Sequence, residues 1–315
     1  MNYKRTGLIL VALSTAITLA AVIISLLRQP GRAVPLAFPG SSRNVAVVYL
    51  TGPIAFGQQS SLFGTGSTAE QALRDLERIE KDRSIRAVVI RINSPGGSAA
   101  ASQELHAQVQ RVKRAGKKVV ASFGDIAASG GYYAGVAADK IVADPATVTG
   151  SIGVIATVPN LQELYRKIGY RERTFKSGPH KDMLSPSRPL TPEEEKIIQG
   201  LVDDTYEQFV RAVARGRKLP LDRVRSLADG RIYTGAQARE LGLVDELGGL
   251  RDAVKLAAKL AGIKGEPQVV EYRTSGLFDF LKPFGAWRIL VRWPAGETDG
   301  LLPGPLPSAF TTLKY

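Results

Sequence analysis

Residues 118–135 read KVVASFGDIAASGGYYAG. The first six favour a β-strand over 118–123, and the small residues after them read as a turn that opens into a short helix. Ser129 sits inside that turn, with alanines before it and glycines after it. A tight turn uses glycine because glycine tolerates backbone angles that other residues avoid, but it has no need of a hydroxyl. The upstream unit repeats the pattern. Residues 86–92 (RAVVIRI) form a strand that runs into Asn93-Ser94-Pro95-Gly96-Gly97, and a helix follows over 99–115. Residues 44–50 and 140–143 read as further strands, and Leu73, Leu76 and Ile79 give residues 69–81 a helical stripe. Strands alternating with helices predict a parallel α/β sheet, and continuously apolar strands are those buried on both faces.

Farther along, Thr191-Pro192-Glu193-Glu194 is a helix start, with a threonine cap, proline in the first turn and acids near the positive dipole end. That helix runs to about residue 217. Shorter helices are expected at 221–227, 235–241 and 250–260, a last strand at 268–272, and a glycine-rich loop at 57–67. No fixed-period repeat is visible.

The chain has 315 residues and no cysteine, which excludes disulfides and thiolate zinc sites. Its two histidines, His106 and His180, exclude a histidine-rich metal site and leave a Ser-His-Asp triad only two bases to choose from. The net charge of +13 suits anionic lipid. No basic tract interleaved with aromatics points to nucleic acid. Residues 7–27 (GLILVALSTAITLAAVIISLL) carry no charge. As a helix they span about 31 Å, matching the hydrocarbon thickness of a bilayer. The run is longer than that of a cleaved signal peptide and exits through Leu26-Leu27-Arg28-Gln29-Pro30 with no small-x-small site, so it reads as an anchor. Lys4 and Arg5 on one side, against Arg28 and Arg32 on the other, lean only slightly toward a cytoplasmic N-terminus. Residues 276–315 carry Phe278, Phe280, Leu281, Phe284, Trp287 and Trp293 among prolines, suiting either a membrane-interface segment or a strap over a groove.

The chemistry converges on two turns. Backbone N–H groups at Asn93–Gly97 can hold a developing oxyanion, and Ser129 can attack a carbonyl. Both turns end consecutive strands of a parallel sheet, which places them on the edge where α/β proteins bind ligands. A serine nucleophile needs a base. His106 falls mid-helix; His180, Lys181, Lys176 and Lys140 all stay open, since a buried lysine can titrate low enough to serve.

Four stretches together resemble the signal peptide peptidase A family, the membrane-bound S49 serine peptidases, in its short form. They are SFGDIAASGGYYAGVAADKIVADPATVTGSIGV at 122–154, INSPGG at 92–97, SGPHKDMLSPSRPLTPEE at 177–194 and IYTGAQARELGLVDELGG at 232–249. The resemblance implies an α/β fold of Clp protease/crotonase type, a spiral of ββα units assembling into rings, preceded by one N-terminal transmembrane helix. It implies Ser129 as nucleophile, Lys181 as general base, Ser151 as the group that orients the lysine, and the Gly96-Gly97 turn as an oxyanion-hole amide, with no metal or cofactor. In the short form the lysine can reach the serine of a neighbouring subunit. The implied organisation is a cytoplasmic N-terminus at 1–6, an anchor at 7–27, a linker at 28–43, an extracytoplasmic catalytic domain at 44–262 and an extension at 263–315. The expected activity is degradation of residual signal peptides at the cell membrane. Its expected partners are cleaved signal peptides and other apolar peptides, membrane lipid and further copies in a homo-oligomeric ring. A crotonase-like acyl-CoA enzyme would need a placed carboxylate base and has no use for an anchor. A non-catalytic scaffold would have no use for Ser129 and Lys181. The apolar tail after Gly276 matches nothing in the family pattern.

Overall fold

The computed structural model describes residues 45–57 and 69–272. The expected anchor at 7–27, most of the glycine-rich loop and the tail lie outside the described residues. Among the described residues, no helix is long and apolar enough to cross a membrane.

Strands β1 (Val45–Thr51), β2 (Ala87–Ser94) and β3 (Lys118–Ala128) pair in parallel, with β8 (Val269–Tyr272) outside β1. Helices α1 (Ala69–Lys81) and α2 (Ala99–Arg114) make the crossovers. The strand alternation divides the core by parity, because successive side chains point to opposite faces. Ala46, Val48, Leu50, Val88, Ile90, Ile92, Ala121 and Phe123 pack beneath α1 and α2. On the other face, Val45, Val47, Ala87, Val89, Val120 and Val142 meet Ala253, Ala257 and Ala258 of α8 (Leu250–Leu260). The parallel sheet buried on both faces is the one the apolar runs predict.

β3 is longer than the sequence suggests. It continues through Gly124–Ala128, the stretch that reads as turn, and changes partners on the way. Its first half pairs with β4 (Lys140–Ala143), and its second half with β5 (Val148–Gly150). The cause is local. The register against β2 shifts between Ile92 and Ser94, and the Asn93 side chain fills the irregularity. Its Oδ1 accepts from the Ile126 N–H at 3.1 Å, and its Nδ2 donates to Asp125 Oδ2 at 3.1 Å. The small residues at 124–128 let the strand pass close to this side chain: a methyl on Gly124 would stand 3.1 Å from Asn93.

Three strands are too short to show in the sequence: β5, β6 (Ile232–Thr234), antiparallel to β5, and β7 (Glu246–Leu247), beside β4. Helix α3 (Gly130–Gly135) follows β3, α4 is Gln162–Lys167, and α5 (Pro192–Arg217), α6 (Leu221–Leu227) and α7 (Gly235–Glu240) complete the set. The expected threonine cap of α5 is present as a capping box between Thr191 and Glu194.

The two tyrosines of the opening stretch divide the work. Tyr132 is fully buried against Phe123 and donates its hydroxyl to the Leu243 carbonyl at 2.8 Å. Tyr133 turns the other way, toward the cleft described below. Tyr132→Phe leaves that carbonyl without its donor. It lowers the free energy of unfolding by about 1–2 kcal/mol, measured by chemical denaturation.

Candidate active site

Ser129 is the hinge between β3 and α3. Its backbone adopts φ 52° and ψ −121°, which a non-glycine residue rarely takes. Such a conformation costs on the order of 1–3 kcal/mol and persists only where the surroundings impose it. Here the Ser129 N–H donates to the Gly150 carbonyl at 2.9 Å, and its carbonyl accepts from the Tyr133 N–H at 2.9 Å. The serine is held on a sharp strand-to-helix turn, a backbone device that exposes a nucleophile at a sheet edge.

The Ser94–Gly97 turn lies against it at the limit of backbone approach. A methyl on Gly96 would stand 2.7 Å from the Gly130 nitrogen, one on Gly131 2.8 Å from the Ser94 carbonyl, and one on Gly130 2.3 Å from Ser102 Oγ. This explains the glycines after Ser129. The Gly96 N–H is committed to Ser94 Oγ at 3.1 Å, so Gly96 contributes through its missing side chain rather than as a donor. Among the described residues, neither the Gly97 N–H nor the Gly130 N–H donates a turn, loop or cap hydrogen bond. The two are neighbours: a methyl on Gly130 would lie 3.3 Å from the Gly97 nitrogen. The free Gly130 N–H is a candidate donor that the sequence reading missed. Its signal was present as the residue directly after the serine.

Ser151 directly follows β5, also at positive φ, with its N–H donating to the Arg231 carbonyl at 2.8 Å. Ser129, Ser151, Gly97 and Gly130 line one cleft of about 830 Å³. Tyr133, Tyr206, Phe209, Val202, Val154 and Ile155 give it apolar walls. Among the described residues, no lysine, arginine or histidine lines it.

The candidate bases stand elsewhere. His106 is half-buried, with Nδ1 3.0 Å from the Tyr133 carbonyl and its ring tilted 56° against that of Tyr133; burial lowers its pKa. Lys140 pairs with Asp245 at 2.9 Å and Lys176 with Asp182 at 2.7 Å, while His180 lies 3.7 Å from Glu193. Lys181 is exposed and is not among the residues that line the Ser129 cleft.

Lys181 belongs to an arm with an unusual surface. Between Ile152 and Glu194 no residue is buried, yet Ile155, Ile168, Phe175 and Leu184 are 91%, 66%, 82% and 62% exposed. The loop that carries the lysine is nevertheless fixed. Arg188 donates to Asp182 at 2.8 Å and to the buried carboxylate of Glu194 at 2.6 Å, and Lys176 adds a bond to Asp182. The Arg188 guanidinium, helped by the Thr191 N–H, lowers the Glu194 carboxyl to about 2. Arg188 and Lys176 hold Asp182 well below the usual carboxylate range.

Residues 111–264 match the model of "Peptidase family S49". A candidate protease of Synechocystis sp. is 45% identical over 232 residues, covering 74% of this chain and 79% of its own. A candidate signal peptide peptidase of Enterococcus faecium is 38% identical over 234 residues, covering 74% and 68%. The chain belongs to peptidase family S49. A ClpP1 variant from Listeria monocytogenes aligns with a TM-score of 0.43 at 18% identity, covering 66% of this chain and 93% of its own. As an S49 serine peptidase of the signal peptide peptidase A type, the protein carries a serine, two unused amides and an apolar cleft at one sheet edge.

Gly96→Ala drives a methyl into the Gly130 amide. We expect a loss of about 10²-fold in kcat, the scale of one missing oxyanion donor, with the circular dichroism spectrum retained. The clamp makes a second prediction. Carboxylates with lowered pKa stabilise the fold above their ordinary range and lose that contribution as the pH falls through the folded value. The thermal-stability difference between the wild type and Arg188→Ala should therefore be full at neutral pH and shrink toward zero as the pH approaches 2, read by scanning calorimetry.

Proposed function

We propose that this S49 peptidase is a membrane-anchored endopeptidase that degrades signal peptides left in the bilayer, with each active site completed by two copies of the chain. Ser129 of one copy is the nucleophile and Lys181 of a neighbouring copy is the base. The observation that carries the proposal is the cleft itself: it holds a strained serine and paired free amides but no basic side chain. The lysine of the matching motif meanwhile stands on an exposed arm whose apolar residues Ile155, Ile168, Phe175 and Leu184 no other described residue covers. Contiguous exposed apolar surface of this kind marks a protein interface. A repeated head-to-tail contact closes into a ring when its rotation allows.

Covering the arm removes water from the lysine, which favours its neutral amine. The amine takes the Ser129 proton as Oγ attacks the peptide carbonyl. The Gly97 and Gly130 amides receive the negative oxygen. The resulting ammonium protonates the leaving amine as the peptide bond breaks, and the regenerated amine activates water to release the acyl group. Ser151, on the same cleft wall as Ser129, is placed to accept from the incoming ammonium and orient it. The aromatic and aliphatic walls suit apolar peptides, and an anchor at 7–27 would concentrate the enzyme where signal peptides lie.

Ser129→Ala and Lys181→Ala should each abolish hydrolysis of an apolar peptide. Co-assembled in equal amounts, the two inactive chains should recover about one quarter of wild-type activity, since a Ser129-intact copy meets a Lys181-intact neighbour at one contact in four of a heterologous ring. No recovery in verified mixed assemblies would place both groups in one copy.

A further inference from the structure

At the opposite edge of the sheet from Ser129, a second cleft of about 500 Å³ opens between the ends of α1, α2 and α8. It is lined by Lys81, Arg83, Arg86, Lys117 and Lys118, with Glu80 the one carboxylate among the lining residues. None of the five cations forms an ion pair with another described residue. Lys117 is buried and fixes the α1–β2 connection by donating to the Asp82 and Ile85 carbonyls at 2.6 and 2.8 Å. Arg86 donates to the Ala261 carbonyl at 2.6 Å. Lys81, Arg83 and Lys118 are exposed. Glu80 is engaged by Gln108 at 2.7 Å.

Helix ends account for part of this charge. Three helix C-termini meet here, each equivalent to roughly −0.5, or about −1.5 together. Five cations against Glu80 leave a formal +4, and counting Asp82, whose charge acts on Lys117, leaves +3. The excess is positive and concave, and no ion pair between described residues neutralises it.

The same edge is where the chain enters the domain. Val45 opens β1 opposite Ala87, which lies opposite Lys118, so β1 begins at the end of the sheet that carries this cleft. The sequence places residues 28–44 between the apolar run and β1. A segment of that length spans at most about 58 Å. On the anchored reading, lipid phosphates are anions within reach of this end of the sheet.

We infer that this basic edge docks on anionic phospholipid headgroups and so sets the orientation of the domain on the membrane. The inference rests on the anchored reading above. The Ser129 edge then stands about one strand length, roughly 26 Å for eight residues, beyond the headgroup plane, so substrate is cut clear of the bilayer.

The test uses the full chain. It lacks cysteine, so Ala115→Cys, on the rim of the cleft, takes a single fluorophore. The labelled protein is reconstituted in vesicles of phosphatidylcholine, with or without phosphatidylglycerol, that contain a headgroup spin-labelled quencher. We expect strong quenching in the anionic vesicles, weak quenching in the neutral ones, and reversal at high salt. The triple variant Lys81→Glu, Arg83→Glu, Lys118→Glu should lose the quenching while retaining peptidase activity, which shows that it is folded. Equal quenching in both vesicles, or quenching unchanged in the triple variant, would overturn the docking. Flotation separates the two readings. A chain that fails to float with neutral vesicles contradicts the anchor, while the comparison of wild type and triple variant on anionic vesicles still decides the basic edge.

Discussion

The structure depends on the contact between two backbone turns, Ser94–Gly97 after β2 and Ser129–Gly131 after β3. They approach until a single methyl at Gly96 or Gly131 would overlap the opposing turn, and one at Gly130 would overlap Ser102 of α2. Everything at the site follows from that distance. It brings the Gly97 and Gly130 amides side by side, holds Ser129 in a conformation it would not otherwise adopt, and obliges the chain around it to be small. Asn93 prepares the approach by absorbing the change of register between β2 and β3, and Gly150 completes it by accepting the Ser129 N–H.

This preorganised edge is nevertheless incomplete. Among the described residues, its cleft offers an alcohol, free backbone amides and apolar walls, but no proton acceptor other than hydroxyls and solvent-facing carboxylates. The arm after Ile152 supplies the contrast: it is anchored at its far end by the Asp182–Arg188–Glu194 clamp and the α5 capping box, yet shows its apolar side chains to water. A rigid root with an uncovered apolar surface is the form expected of a segment that finishes its folding against another subunit. The clamp also gives the lysine a fixed address on that arm, since Asp182 is its immediate neighbour in the chain.

Much of this was legible from the residues. The strands 44–50, 86–92 and 140–143, the crossover helices and the α5 cap announced themselves by apolar runs, three-residue steps and the Thr-Pro-Glu-Glu start. The second half of β3 did not, because GDIAA has the composition of a turn. It extends only because Asn93 and β5 supply partners from distant parts of the chain. β5, β6 and β7 span two or three residues each, too few to establish a period. Ser129 stood out as a hydroxyl that its turn did not require, whereas Lys181 could be separated from Lys176, Lys140 and the histidines only by family resemblance. The division of labour between Gly96 and Gly97 needed coordinates, because which amide is already bonded depends on the orientation of Ser94. The unpaired cations at the far edge were visible in sequence only as an excess of charge, since their convergence comes from three helix ends meeting.

The central claim is that the Ser129 hydroxyl becomes reactive only when a second copy brings its lysine. Native mass spectrometry of the full chain treated with a serine-directed fluorophosphonate tests it directly. The account predicts one adduct per chain, at Ser129, in the assembled species and none in monomers separated from the same sample. Equal labelling of Ser129 in monomers and assemblies would contradict it.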